Sequence, residues 1–246
     1  MPMPSKRRCA LPRLTSKEDK LRAMILAAGR GERMRPLTDT TPKPLLDVGG
    51  TPLIGWHLRK LAAAGIRDVV INHAWLGEQI EAALGNGAAY GLRIVYSAEG
   101  TALETAGGVA KALPLLGESP FILLSADIYT DFPYERLVAA AKRLAETPQQ
   151  LAHLVLAPTN RYQLDFNLDE QGLVRSEGAP SYTYANLAVL KPELVASISA
   201  GQTAKLGPLL HTFAAQGRIS GEAYDGAWLN VGSPADLAEA RTAAGR

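Results

Sequence analysis

The sequence predicts an α/β fold: a doubly wound, mostly parallel sheet flanked by helices, with a small antiparallel extension. Three observations carry that prediction. Short apolar, β-rich runs alternate with helical stretches from residue 23 to about residue 148, which is the strand–helix–strand rhythm of a parallel sheet. The first run is apolar throughout and stops at Gly29, as a strand buried on both faces does. Beyond Pro148 the runs shorten and are joined by turns such as Glu170-Gln171-Gly172, more like antiparallel hairpins.

Taken in order, residues 23–27 form the first strand, followed by a loop rich in Gly, Pro and Thr. A helix over 54–64 sets Ile54, Leu58 and Leu61 on one face and has Gly65 beyond its end, a helix-stop signal. A strand at 68–72, a short helix at 77–84, a strand at 92–96, a helix at 105–113, a strand at 121–124 and a helix at 134–144 complete the parallel part. Strands at 151–157, 163–168, 173–175 and 182–190 follow, then helices at 208–216 and 234–242. No Ser/Gly linker, internal repeat or low-complexity tract interrupts the series, so residues 23–246 read as one domain.

Composition narrows the classes. Of 246 residues, 47% are apolar and 20% charged, which excludes a disordered chain. Cys9 is the only cysteine, so a disulfide scaffold is excluded. No apolar run approaches the ~18 residues of a membrane span. The net charge of +2 is uneven: residues 1–22 carry seven cations against Glu18 and Asp19, leaving the rest at −3. The charge therefore does not argue for a nucleic-acid partner. With Pro2, Pro4 and Pro12 and no long apolar stretch, residues 1–22 read as a flexible basic extension rather than a secretory signal, consistent with a cytoplasmic protein.

In an open parallel sheet, ligands bind beyond the carboxyl ends of the strands. The loop after the first strand offers Ala27, Ala28, Gly29 and Gly31, where backbone N–H groups can approach an anion closely. Arg33, Arg35 and Lys43 add three cations, so the loop reads as a polyphosphate site. The dinucleotide fingerprint fails because Met34 stands where a third glycine is required, and no P-loop pattern occurs. Asp127 follows the strand at 121–124, where a carboxylate serves either as a Mg²⁺ ligand or as a turn cap. His57, His73, His153 and His211 form no zinc motif and there is no G-x-S-x-G elbow, so a hydrolase triad is not expected.

The run Gly29-Arg30-Gly31-Glu32-Arg33-Met34-Arg35-Pro36-Leu37-Thr38, followed by Pro42-Lys43-Pro44-Leu45, resembles the sugar-1-phosphate nucleotidyltransferases. The resemblance extends from residue 23 to the C-terminus. Within that family, residues 71–77 (INHAWLG), 103–108 (LETAGG) and 164–166 (LDF) look most like the N-acetylmuramate-1-phosphate uridylyltransferases of peptidoglycan recycling. The resemblance implies that a sugar 1-phosphate attacks the α-phosphorus of UTP, giving a UDP-sugar and pyrophosphate with Mg²⁺ as cofactor.

It assigns Arg35, Lys43 and Asp127 to catalysis, and Asp127 with Asn230 to the metal. The family usually has Asp where Asn230 stands, and often an amide residue where Ser125 stands. Residues 23–148 would hold the nucleotide, through Ala27, Ala28, Gly29, Gly31, Glu32, Arg33 and Lys43, then Glu99, Gly107 and Ser125. Residues 149–246 would hold the sugar through Asp165, Asn186 and Lys205, with Glu104 reaching it from the first part. With no long C-terminal repeat or added domain, a monomer is expected. The rivals are a relative using GTP with mannose 1-phosphate or UTP with glucose 1-phosphate, and a non-catalytic nucleotide-binding regulatory module. A dinucleotide redox enzyme is more distant.

Overall fold

The computed structural model describes residues 20–245. Its strands are β1 (Arg22–Leu26), β2 (Asp47–Val48), β3 (Thr51–Pro52), β4 (Asp68–His73), β5 (Arg93–Ala98), β6 (Phe121–Ser125), β7 (Ile128–Thr130), β8 (Ala152–Ala157), β9 (Asn167–Leu168), β10 (Val174–Arg175), β11 (Thr183–Leu190), β12 (Ile219–Ala223) and β13 (Trp228–Asn230). Its α-helices are α1 (Leu37–Thr40), α2 (Leu53–Ala63), α3 (Gly77–Leu84), α4 (Glu104–Leu116), α5 (Glu135–Ala145), α6 (Leu206–Ala215) and α7 (Pro234–Ala244).

Seven strands form the main sheet in the order β12-β8-β11-β6-β1-β4-β5. All its neighbour pairs are parallel except those of β11, which runs antiparallel to both β6 and β8. The later half of the chain thus extends the same sheet, and the separate antiparallel pieces are the two-stranded pairs β9–β10, β7–β13 and β2–β3.

Alternation along β1 divides the core. Ala23 and Ile25 face a cluster with Ile54, Leu58 and Leu61 of α2, Ile80 of α3 and Leu137 of α5. Met24 faces the other way, onto Val109 and Ala112 of α4 and Leu210 of α6. This period of two is what a strand covered by helices on both faces requires. A third cluster joins Met34, Leu46, Val48, Leu229, Val231 and Leu237, and it ties the loop after β1 to β13 and α7.

Several expectations need adjustment. Arg22 is the first residue of β1 and its guanidinium donates to the Leu116 carbonyl at 2.6 Å, so the basic extension cannot reach residue 22. Residues 1–19 lie outside the described part. The strand expected at 163–168 is regular only over β9, with Phe166 making an isolated bridge to Tyr182. The Asp165 and Phe166 N–H groups both donate to the Tyr182 carbonyl. Helix α4 runs three residues past the expected end and passes through Pro114. Having no N–H, Pro114 costs the helix the bond to the Ala110 carbonyl, and the helix ends two residues later. Strands β2, β3, β7, β12 and β13 were not expected.

His57 on α2 is a core residue, with its Nδ1 2.5 Å from the Tyr134 hydroxyl. Burial, followed by repulsion from Lys60, pushes its imidazole down to about 4. Unfolded, the imidazole takes up a proton below about pH 6.5, so between these values the unfolded chain holds more protons and stability falls as the pH falls. Urea unfolding across that range should show a loss of about 3 kcal/mol, absent above pH 6.5. His57→Gln should flatten that slope, and an unchanged slope would contradict the assignment.

Candidate nucleotide site

From β1 the chain passes outward to β4 and β5, then crosses back to β6 on the other side of β1. Ligands bind at such a reversal, beyond the carboxyl ends of the strands. A cavity of about 360 Å³ opens there, the size of a small-molecule site. Ala27, Ala28 and Gly29 form one wall and Ser125, Ala126 and Asp127 another, while Asn72, Glu104 and Thr105 close the side. The cations on its lining are Arg30 and Lys43.

The loop after β1 is shaped by its two glycines in different ways. A Cβ placed on Gly29 would meet nothing within 4 Å, so the backbone there is open to the cavity. Gly31 is the turn itself: its φ is +70° and its carbonyl accepts the Thr38 hydroxyl at 2.8 Å. The 3₁₀ turn at Glu32–Met34 then redirects the side chains. Met34 drops into the third core cluster, which turns its neighbours away from the cavity. Arg33 packs its guanidinium against Gly232, where a Cβ would sit 2.9 Å from Nη2. Arg35 is 56% exposed and pairs with Asp39 at 2.9 Å, with Glu32 3.6 Å away.

Of the sequence-predicted loop residues, Ala27, Ala28, Gly29 and Lys43 therefore line the cavity, while Gly31, Glu32, Arg33 and Arg35 do not. The residue that sequence reasoning missed is Arg30. Its Nη1 donates to the Thr38 carbonyl and its Nη2 to Asp39 Oδ1, both at 2.8 Å. The guanidinium lies over the Trp75 ring, 3.7 Å from its centroid, a cation–π contact that fixes its plane. Position alone, between two glycines directly after a strand, was the available signal.

Lys43 opens a short 3₁₀ turn between Pro42 and Pro44, and its Nζ donates to Asp127 Oδ2 at 2.5 Å. Burial pushes the Asp127 carboxyl up, but the Lys43 ammonium and hydrogen bonds from Lys43 and Ser125 outweigh it and hold the group below the usual carboxylate range. Asp127 Oδ1 is buried without a partner, and so is Asn230 Oδ1. These two residues are brought together by the pairing of β7 with β13, in which Asn230 stands opposite Ile128 and the Val231 N–H donates to the Asp127 carbonyl at 2.8 Å. Unpaired buried acceptors are costly unless something binds them. Two such oxygens on adjacent strands suit Mg²⁺, which takes one or two protein oxygens and shares the rest with phosphates and water. Among the described residues no three His, Cys, Asp or Glu side chains gather as an all-protein metal cage.

The remaining expected residues fall into two groups. Glu104 lines the cavity at the first position of α4, and its φ of +61° is left-handed. Asn186 has φ +57° at the irregularity where β11 slips against β8 between Tyr184 and Ala188. Left-handed non-glycine residues are strained and collect at functional sites. Asp165 uses Oδ2 to accept the Tyr184 N–H at 2.9 Å and the Thr183 hydroxyl at 3.1 Å, the edge role that a strand carboxylate commonly fills. Lys205 is exposed at the N-cap of α6. Neither Gly107 nor Glu99 lines the cavity. Gly107 donates to the Ala204 carbonyl at 3.1 Å and a Cβ there would collide with the Gln202 carbonyl, so it is the seat of the 202–204 segment. Glu99 lies behind the wall.

A doubly wound sheet with open loop amides, two lining cations and a buried carboxylate–amide pair defines a protein that handles phosphorylated nucleotides. The chain belongs to the nucleotidyl transferase family, whose model matches residues 22–163. It is 50% identical over 228 residues to the N-acetylmuramate alpha-1-phosphate uridylyltransferase of Neisseria meningitidis serogroup B, covering 92% of this chain and 99% of that one. It is 39% identical over 236 residues to the enzyme of the same name from Caulobacter vibrioides, covering 90% and 96%. Among solved structures, a putative glucose-1-phosphate thymidylyltransferase from Bacillus anthracis superposes with a TM-score of 0.80 at 20% identity, covering 91% of this chain and 95% of that one. The chain is a nucleotidyltransferase with the fold the sequence predicted. Among the described residues no helix is long and apolar enough to cross a membrane.

Proposed function

We propose that the enzyme transfers a uridylyl group from UTP to N-acetylmuramic acid 1-phosphate, giving UDP-N-acetylmuramic acid and pyrophosphate, in peptidoglycan recycling in the cytoplasm. The observation that carries the reaction type is the Lys43–Asp127 pair, at 2.5 Å, facing the open Ala27–Gly29 backbone across one cavity. The choice of sugar and base rests on the two uridylyltransferases to which the chain is 50% and 39% identical.

The nucleophile is an oxygen of the sugar phosphate, which is already an anion, so no general base is needed. What the site must supply is alignment of two anions and compensation of charge at phosphorus. The backbone N–H groups of the loop and the Arg30 guanidinium receive the triphosphate, and Lys43 faces the same phosphates while holding Asp127. A magnesium ion on Asp127 and Asn230 would supply charge neutralisation at the α-phosphate. The new P–O bond forms on the sugar phosphate oxygen, the bond to the β-phosphate oxygen breaks, and its electrons leave with pyrophosphate. The resemblance would give the sugar to Glu104, Asp165, Asn186 and Lys205; of these Glu104 lines the cavity, while Asp165, Asn186 and Lys205 do not. Pyrophosphate release from UTP on addition of N-acetylmuramic acid 1-phosphate and Mg²⁺ tests this reading.

A further inference from the structure

At the cavity wall three chain segments meet at two side chains, Asn72 on the lining and Glu99 behind it. Asn72, at the carboxyl end of β4, accepts the Ala27 N–H on Oδ1 at 2.9 Å and donates from Nδ2 to Glu99 Oε1 at 2.6 Å. The other oxygen of Glu99 accepts the Leu103 N–H at 2.8 Å. Both residues are buried, at 2% and 9% exposure. The chain makes room for them: a Cβ on Gly108 of α4 would lie 2.5 Å from Glu99 Oε1 and 2.7 Å from Asn72 Nδ2.

The direction of every bond in this chain is forced. The Ala27 and Leu103 amides can only donate and the carboxylate only accepts, so the Asn72 amide has one satisfactory orientation. Ala27 is the first residue of the loop that lines the cavity, and Leu103 immediately precedes Glu104, the lining residue with left-handed φ. With the Ala27 N–H committed to Asn72, the next two N–H groups belong to Ala28 and Gly29, residues that also line the cavity. We propose that Asn72 and Glu99 are positioning residues for the nucleotide, a hydrogen-bond relay that aims the Ala27–Gly29 backbone and the start of α4 at the cavity. The proposal rests on the reading that the cavity takes a nucleoside triphosphate.

The relay makes a distinctive test possible. Glu99→Gln introduces an amide whose N–H must face either the Leu103 N–H or the Asn72 Nδ2, and flipping Asn72 only moves the clash to Ala27. Adding Asn72→Asp restores every bond with the polarity carried one residue along. The new carboxylate accepts from Ala27 and from the amide at position 99, whose oxygen accepts from Leu103.

Binding of Mg²⁺-UTP, measured by calorimetry well below each protein's thermal midpoint, should weaken about 10-fold in Glu99→Gln, the range expected for one mismatched buried group. The double variant should return to within about 3-fold of the parent. Unchanged UTP affinity in Glu99→Gln, even with a lowered thermal midpoint, would reduce the pair to a structural role and overturn the proposal. So would a double variant no better than the single. If Glu99→Gln does not fold, the double variant decides alone: parent-like binding supports the relay and lost binding overturns it. Failure of the parent itself to bind UTP or any other nucleoside triphosphate would strike the reading of the cavity as well, which separates the two failures.

Discussion

Asp127→Ala should lose turnover by on the order of 10²–10³-fold or more, the usual scale for removing a preorganised electrostatic group from a reacting centre, while the chain stays folded. The side chain is the junction of the site. Its Oδ2 holds Lys43, its Oδ1 is buried without a partner, and its backbone carbonyl accepts from Val231 next to Asn230. Removing the carboxylate therefore takes one of the two oxygens proposed to hold magnesium and the counter-charge from Lys43. The backbone bond to Val231 survives, so β7 and β13 should remain paired. Asp127→Asn keeps the shape and an oxygen but not the charge, and it should also be severely impaired. Circular dichroism and thermal midpoints check the fold, and Mg²⁺ titration of the parent against both variants checks the metal. A folded alanine variant with near-parental turnover would remove Asp127 from the mechanism.

Lys43→Ala is the second large effect. Lys43 is held by a local backbone that the flanking prolines constrain, and its ammonium reaches the cavity with 14% of the side chain exposed. A cation so shielded interacts with phosphate far more strongly than one in water. Its loss should raise the KM for the nucleotide and lower kcat, together costing on the order of 10²-fold or more in kcat/KM. Lys43→Arg should recover part of this, because charge returns while the fork geometry differs. The KM of the alanine variant should also depend less on salt. A variant whose KM for nucleotide is unaltered would place the phosphates elsewhere.

The parts of this site that were legible in the sequence are those encoded locally. An apolar strand ending in small residues and glycine fixes where the Ala27–Gly29 amides emerge, and a lysine between prolines or an aspartate after a buried strand carries its position with it. Which arginine lines the cavity was not legible, because side-chain direction is not local. Met34 belongs to a core cluster completed by Leu229 and Val231, almost two hundred residues later. Burying it turns Arg33 and Arg35 away and leaves Arg30 on the cavity. Trp75, which fixes Arg30, carries no local sign of that contact in residues 71–77, and its packing role follows only from the fold.

The same reason hid β7 and β13. Three-residue strands have too few positions for alternation to show, yet their pairing is what carries Asn230 to Asp127. Asn230 itself was reached only through resemblance, since nothing local marks an asparagine as a ligand. Glu99 was expected at the nucleotide, and the structure puts it one layer back. Asn72 and Glu99 are 27 residues apart, and only the parallel register of β4 against β5, with Asn72 beside Ser97, brings them together.

The most direct measurement is pyrophosphate release in parallel reactions with Mg²⁺, pairing UTP, GTP or dTTP with N-acetylmuramic acid 1-phosphate, glucose 1-phosphate or mannose 1-phosphate. The expected result is the highest kcat/KM for UTP with N-acetylmuramic acid 1-phosphate, with all of the uridylyl group recovered in the UDP-sugar. Faster release with glucose 1-phosphate, or with GTP and mannose 1-phosphate, would contradict the proposed substrates and keep the reaction. Binding of UTP with no pyrophosphate from any pair would contradict the reaction itself.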